Sequence, residues 1–159
     1  MSFRFRACAC VGLALCSTIA AAGGAEPSLQ IWLNPGFLSY HSDRSQDYRE
    51  DNIGFGAEAV VAPDHGFFSG TFLNSDDVRS HYGMYQWRPL HWQLKSVSVS
   101  GGLITGFIDG YPKNDGGWFF AVLPMFFFEG ERFGANFAIV PASDPDHRLV
   151  AIQLKLRVH

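Results

Sequence analysis

The sequence predicts an all-β protein, an eight-stranded antiparallel up-and-down β-barrel of the transmembrane, outer-membrane type. Three observations predict it. Eight apolar or alternating segments are separated by turn clusters, no amphipathic stretch of ten or more residues at helical period remains, and the connections alternate between short and long along the chain.

The N-terminus comes first. Arg4 and Arg6 precede the apolar run Ala7 to Ala22, and the small residues Ala20-Ala21-Ala22-Gly23-Gly24-Ala25 follow, the pattern of a secretory signal peptide over 1–25 with cleavage after Ala22 or Ala25. Cys8, Cys10 and Cys16 are the only cysteines in the chain and fall within that peptide, so the mature domain, 26–159, is expected to carry no thiol. The bulky Leu15 before Cys16 argues against lipidation. The apolar runs are all shorter than the roughly 20 residues a membrane helix requires. A net charge of −3 without a basic run argues against a nucleic-acid partner.

Strands are predicted over about 29–40, 53–62, 66–73, 79–88, 94–107, 118–128, 133–140 and 149–158. The last is the clearest. Val150, Ile152, Leu154, Leu156 and Val158 alternate with Ala151, Gln153, Lys155 and Arg157, a period of two that no helix produces. Turn clusters such as Ala62-Pro63-Asp64-His65-Gly66 and Pro112-Lys113-Asn114-Asp115-Gly116-Gly117 punctuate the rest.

Alternation alone fits two closed architectures, a soluble lipocalin-like barrel with an apolar interior or a membrane barrel with an apolar exterior. Glu58, Ser96, Ser98, Ser100, Asn136, Gln153, Lys155 and Arg157 share one parity, and Ile53, Phe55, Val97, Val99, Phe133, Phe137, Ile139 and Leu154 the other. Loop lengths favour the membrane form. Connections near 63–66, 89–93 and 129–132 are short, as periplasmic turns are, whereas those near 41–52, 74–79, 108–117 and 141–148 are longer. Trp32, Tyr40, Trp87, Trp92 and Trp118 near strand ends fit interfacial girdles.

With the N-terminus periplasmic, the first and third strands both end at the outer rim, which puts His41 on the same rim as Asn74, Ser75 and Asp76. A serine, an imidazole and an amide or carboxylate are the groups acyl transfer uses: the imidazole takes the hydroxyl proton and the third group orients the ring.

The motifs in succession resemble those of the outer-membrane lipid A palmitoyltransferase family. Leu29 to His41 is similar to that family's first strand, with Pro35 within it and Tyr40-His41 closing it. Tyr48-Arg49-Glu50-Asp51-Asn52 resembles its Tyr-Asn-Glu-Arg-Pro segment, and Thr71-Phe72-Leu73-Asn74-Ser75 the strand ending in Phe-Lys-Asp-Ser. Trp87-Arg88-Pro89-Leu90 repeats its Trp-Arg-Pro-Leu turn, and Val122-Leu123-Pro124-Met125 and Ile139-Val140-Pro141 fall where it carries paired prolines. The resemblance implies transfer of an acyl chain from a phospholipid to lipid A at the cell outer membrane, by a monomer without cofactor or metal. It implies His41 as the catalytic histidine, Ser75 as the serine and Asn74 at the place of the family's aspartate. An amide orients a ring but carries no charge to stabilise an imidazolium, so residue 74 separates the catalytic reading from a non-catalytic barrel that holds a ligand or serves a structural role.

Pro35, Pro124 and Pro141 remove ladder donors in predicted strands. Bulges account for them locally; the resemblance implies lateral lipid access at these weakened seams. Glu58 with Lys155 and Arg157 is expected as a charge network filling the barrel interior, Arg157 being Glu58's partner.

Overall fold

A computed structural model of the chain describes residues 29–45, 47–140 and 149–159. The predicted signal peptide with its cysteines and cleavage positions, and Pro141, lie outside the described residues.

Eight antiparallel strands follow one another: β1 (Gln30–His41), β2 (Asp51–Ala62), β3 (His65–Leu73), β4 (Arg79–Leu94), β5 (Val97–Ile108), β6 (Phe119–Glu129), β7 (Phe133–Val140) and β8 (Leu149–Arg157). Each pairs with its neighbour in sequence and β8 returns to β1, which closes the barrel. Among the described residues the only helical element is a 3-10 turn at Pro112–Asn114.

The wall sorts its side chains by parity. Ile53, Phe55, Phe107, Phe120, Phe133 and Leu154 face outward, each more than half exposed, while Glu58, Asn136, Gln153 and Lys155 are buried inside. At these positions the apolar side chains lie outside the wall and the polar ones inside.

Three expectations are corrected. The predicted 89–93 connection is strand: β4 continues to Leu94, and the turn falls at Lys95 and Ser96, where Lys95 has φ 54. A register shift between Trp87 and Leu90 absorbs the change, and Pro89 lies beyond the last β3 partner, Trp87, so its missing donor costs no rung on that side. Beyond this shift the expected faces of β5 do not hold, and Ser98 is exposed while Val99 is buried. Trp32 belongs to no girdle, since it is fully buried in the lumen, whereas Tyr40, Trp87, Trp92 and Trp118 are exposed.

The third correction concerns Glu58. Its partner is Lys155, whose Nζ lies 2.9 Å from both carboxylate oxygens; Arg157 instead stacks over Trp32 at 5.5 Å. Lys155 also reaches Glu129 at 2.7 Å, and Arg88 bonds Glu129 at 2.9 Å and lies 3.6 Å from Glu58. Two cations and two carboxylates thus neutralise one another, with the Trp32 and Phe127 rings packed beneath Lys155 and Arg88. Buried charge persists only when compensated in this way.

Above this charged layer the lumen turns apolar. Phe68, Phe72, Tyr82, Met84, Ile104 and Met125 form its buried cluster. Gly56 and Gly70 make room for Tyr82, because a Cβ on either would collide with its hydroxyl.

Candidate active site

Two strand ends and two loops build the site. β1 delivers His41 as its last residue, and Ser75 stands two residues past the end of β3. Although 34 positions apart in sequence, Ser75 Oγ and His41 Nε2 lie 3.1 Å from each other. With the ring proton on Nδ1, Nε2 accepts the serine hydroxyl proton, the arrangement a general base requires.

The connection between β1 and β2 supplies the ring's other neighbours. Tyr48 stacks on His41 with centroids 4.5 Å apart and planes 25° from parallel. Glu50 Oε1 accepts a hydrogen bond from the His41 backbone N–H at 3.2 Å and lies 3.8 Å from the buried Nδ1, which has no closer partner. Arg44 Nη1 also bonds that oxygen. The His41 N–H and the Arg44 guanidinium hold the Glu50 carboxyl below its ordinary range, so it is anionic at neutral pH. The loop is fastened to the serine's own turn: Arg49 N–H donates to Ser75 O at 3.0 Å, and Arg49 Nε to Asp77 at 2.5 Å.

Asn74 does not perform the orienting role expected of it. Its Nδ2 donates to Ser80 Oγ at 3.0 Å and Gly110 O at 2.9 Å, and its Oδ1 accepts from the N–H groups of Asp76 and Val78 at 2.9 and 3.0 Å. Its oxygen is spent on the turn that presents Ser75 and its nitrogen ties that turn to β4 and to the β5–β6 connection, because a fully buried amide must satisfy both ends. The carboxylate facing the imidazole is Glu50, a residue to which the sequence pattern alone attached no role. The available signal was hairpin geometry: Leu38 pairs with Asp51, so the residue before β2 lies beside the last residues of β1.

Below the pair, a cavity of about 120 Å³ descends from Ser75 between Phe72, Met84, Ile104, Leu123 and Met125 to the amides of Asn136 and Gln153. Above it, a vestibule of about 440 Å³ is bordered by His41, Tyr48, Ser75, Asp76, Tyr111 and Lys113. Tyr111 lines both spaces, and burial, with Asp76 adding to it, pushes its pKa up to about 12. Its hydroxyl therefore stays a donor at any physiological pH.

Two prolines stand at gaps in the ladder. β6 pairs with β5 along its whole length, but with β7 only from Met125↔Ala138 to Glu129↔Gly134, so Pro124 and the residues before it have no β7 partner. The cavity borders this gap through Leu123 and Val140. At Pro35 the β1–β2 register shifts between Asn34 and Gly36, and β1–β8 pairing is interrupted between Leu33 and Leu38. Gly36 takes φ +102, a conformation that side chains strain to adopt, and a Cβ there would strike the Asn52 carbonyl.

Among the described residues no cluster of His, Cys, Asp or Glu forms a metal site. Compared with known proteins, the chain matches no protein-family model and no curated protein sequence.

Proposed function

We propose that this chain is an outer-membrane acyltransferase that moves an acyl chain from a phospholipid to lipid A. The observation that carries the reading is the Ser75–His41 hydrogen bond at the mouth of a cavity lined almost wholly by apolar side chains. A hydroxyl nucleophile with its base, opening onto hydrocarbon-lined space, suits a fatty acyl ester.

Ser75 Oγ attacks the ester carbonyl while its proton passes to His41 Nε2. The tetrahedral oxyanion accepts a hydrogen bond from the Tyr111 hydroxyl. As the C–O bond to the phospholipid glycerol breaks, Nε2 returns the proton to the leaving oxygen. A lipid A hydroxyl then attacks the acyl-serine, gives its proton to Nε2, and Ser75 leaves with that proton. The acyl chain lies in the cavity meanwhile.

Placement in the membrane is supported by the outward apolar wall, and lipid entry from the side by the unpaired stretch at Pro124 and the interrupted ladder at Pro35, with Pro141 assigned to the same seam from the resemblance. The acceptor rests on the resemblance and on the rim position of Ser75. The protein acts as a monomer and needs no cofactor.

Lipid A mass spectrometry on envelopes from cells with and without the expressed chain tests the reading. An added acyl mass that depends on Ser75 supports it. Unchanged lipid A, with the protein recovered in the outer membrane and heat-modifiable on gels, replaces it with a barrel that holds a ligand without transforming it.

A further inference from the structure

We propose that Glu50 is the residue that positions the His41 imidazole, so that the working unit is Ser75–His41–Glu50 with its carboxylate drawn from the first outer loop rather than from the turn that carries the serine. The proposal rests on the acyl-transfer reading and adds a member to its site.

Three observations converge on Glu50. If Nε2 is to accept the Ser75 proton, the ring hydrogen sits on Nδ1, which is buried and has no hydrogen-bond partner. A buried donor left in that state carries its full desolvation cost, so the site is incomplete until an acceptor reaches it. The acceptor at hand is Glu50, whose Oε1 lies 3.8 Å away and is already tied to the same residue through the His41 backbone N–H. Catalytic hydrogen bonds are commonly long in the unliganded state and tighten when substrate fills the site.

The second observation is how Glu50 is held. Its neighbour Arg49 is bonded to the Ser75 carbonyl and to Asp77, which fixes the carboxylate relative to the nucleophile across two loops. Tyr48, on the other side, covers the ring face and prevents the imidazole from swinging away. The segment Tyr48-Arg49-Glu50 thus holds the ring face, the serine turn and the His41 backbone N–H at once.

The third is elimination at residue 74. Asn74 is the position at which the turn would otherwise furnish an orienting group, and both ends of its amide are occupied, Oδ1 by the turn's own N–H groups and Nδ2 by Ser80 on β4 and the Gly110 carbonyl. As the imidazole gains a proton during attack, charge develops beside Glu50, and an anion there stabilises it where an amide at 74 cannot.

The test uses the full chain extracted from outer membranes, a long-chain p-nitrophenyl ester as donor, and a fluorophosphonate that labels activated serines. Wild type should be labelled at Ser75. Glu50→Gln, isosteric and outside the strands, should label and turn over at least about tenfold more slowly, by analogy with the ~10⁴-fold loss when a triad carboxylate becomes an amide. The loss should fall on kcat with KM unchanged, and Glu50→Asp should restore part of the rate. A loop merely loosened would raise KM and respond equally to Gln and Asp. Glu50→Gln reacting at the wild-type rate overturns the role of Glu50 alone. A wild-type protein that is folded and not labelled at Ser75 overturns the acyl-transfer reading, and Glu50's role with it.

Discussion

Ser75 and His41 arrive from different hairpins and meet at 3.1 Å, Oγ to Nε2, on the rim of a barrel whose lumen directly below them is apolar. Two groups acting as one unit lose function non-additively. Ser75→Ala and His41→Ala should each bring acyl addition to lipid A down to background, with the double variant no worse. Envelope lipid A mass spectra read this directly, and a His41→Ala protein that retained activity would remove the imidazole from the chemistry.

Asn74→Asp is expected to harm the protein. The substitution replaces the Nδ2 donor by an acceptor facing the Gly110 carbonyl at 2.9 Å, so a hydrogen bond becomes a repulsion. A loss of about 1–3 kcal/mol in stability should appear as a lower urea midpoint, with no gain in rate. A faster enzyme of undiminished stability would show that residue 74 orients the ring after all.

Tyr111→Phe removes one donor and leaves the ring in place. If that hydroxyl serves the oxyanion, kcat should fall by up to about 10²–10³-fold with little change in KM. Equal activity of the two proteins against a p-nitrophenyl ester would leave the oxyanion to backbone donors.

In the lower lumen, Lys155→Met strands Glu58 and Glu129 beside a single cation, Arg88, and should cost about 3–5 kcal/mol of unfolding free energy. The double change Lys155→Met with Glu58→Gln keeps the Arg88–Glu129 pair and should recover part of the loss. Arg157→Leu, which removes the stacking on Trp32, should cost less than Lys155→Met. Strict additivity of Lys155→Met and Glu58→Gln in urea titrations would show that the two side chains do not interact.

The β6–β7 seam is tested by closing it. Extending the observed register from Met125↔Ala138 puts Pro124 opposite Ile139, so Pro124→Cys with Ile139→Cys offers a linkable pair. Oxidised, the protein should lose acyl transfer from membrane phospholipid and regain it on reduction, while a small water-soluble phosphonate still reaches Ser75 through the vestibule. A linked barrel that acylates at the full rate would place lipid entry elsewhere.

Strand number, strand order and most of the inward and outward faces were legible in the sequence, because a period of two is a local property that each segment declares for itself. The same count set His41 and Ser75 on one rim, since up-and-down order fixes which ends share a side. Partner identity was not legible. A register shift beside Pro89 moved the β4–β5 turn and buried Val99, and nothing in the alternation of either strand announces a bulge. Glu58 belongs to Lys155 rather than Arg157, and Trp32 lies inside rather than in a girdle, because barrel closure decides which side chains converge across the lumen. At the rim, the sequence by itself offered an amide at Asn74 and carboxylates at Asp76 and Asp77 around Ser75, with nothing to say which group meets the imidazole. Only the folded loop, bringing Glu50 back to the end of β1, decided which acid faces the imidazole, since that depends on contacts between segments that do not adjoin in the chain.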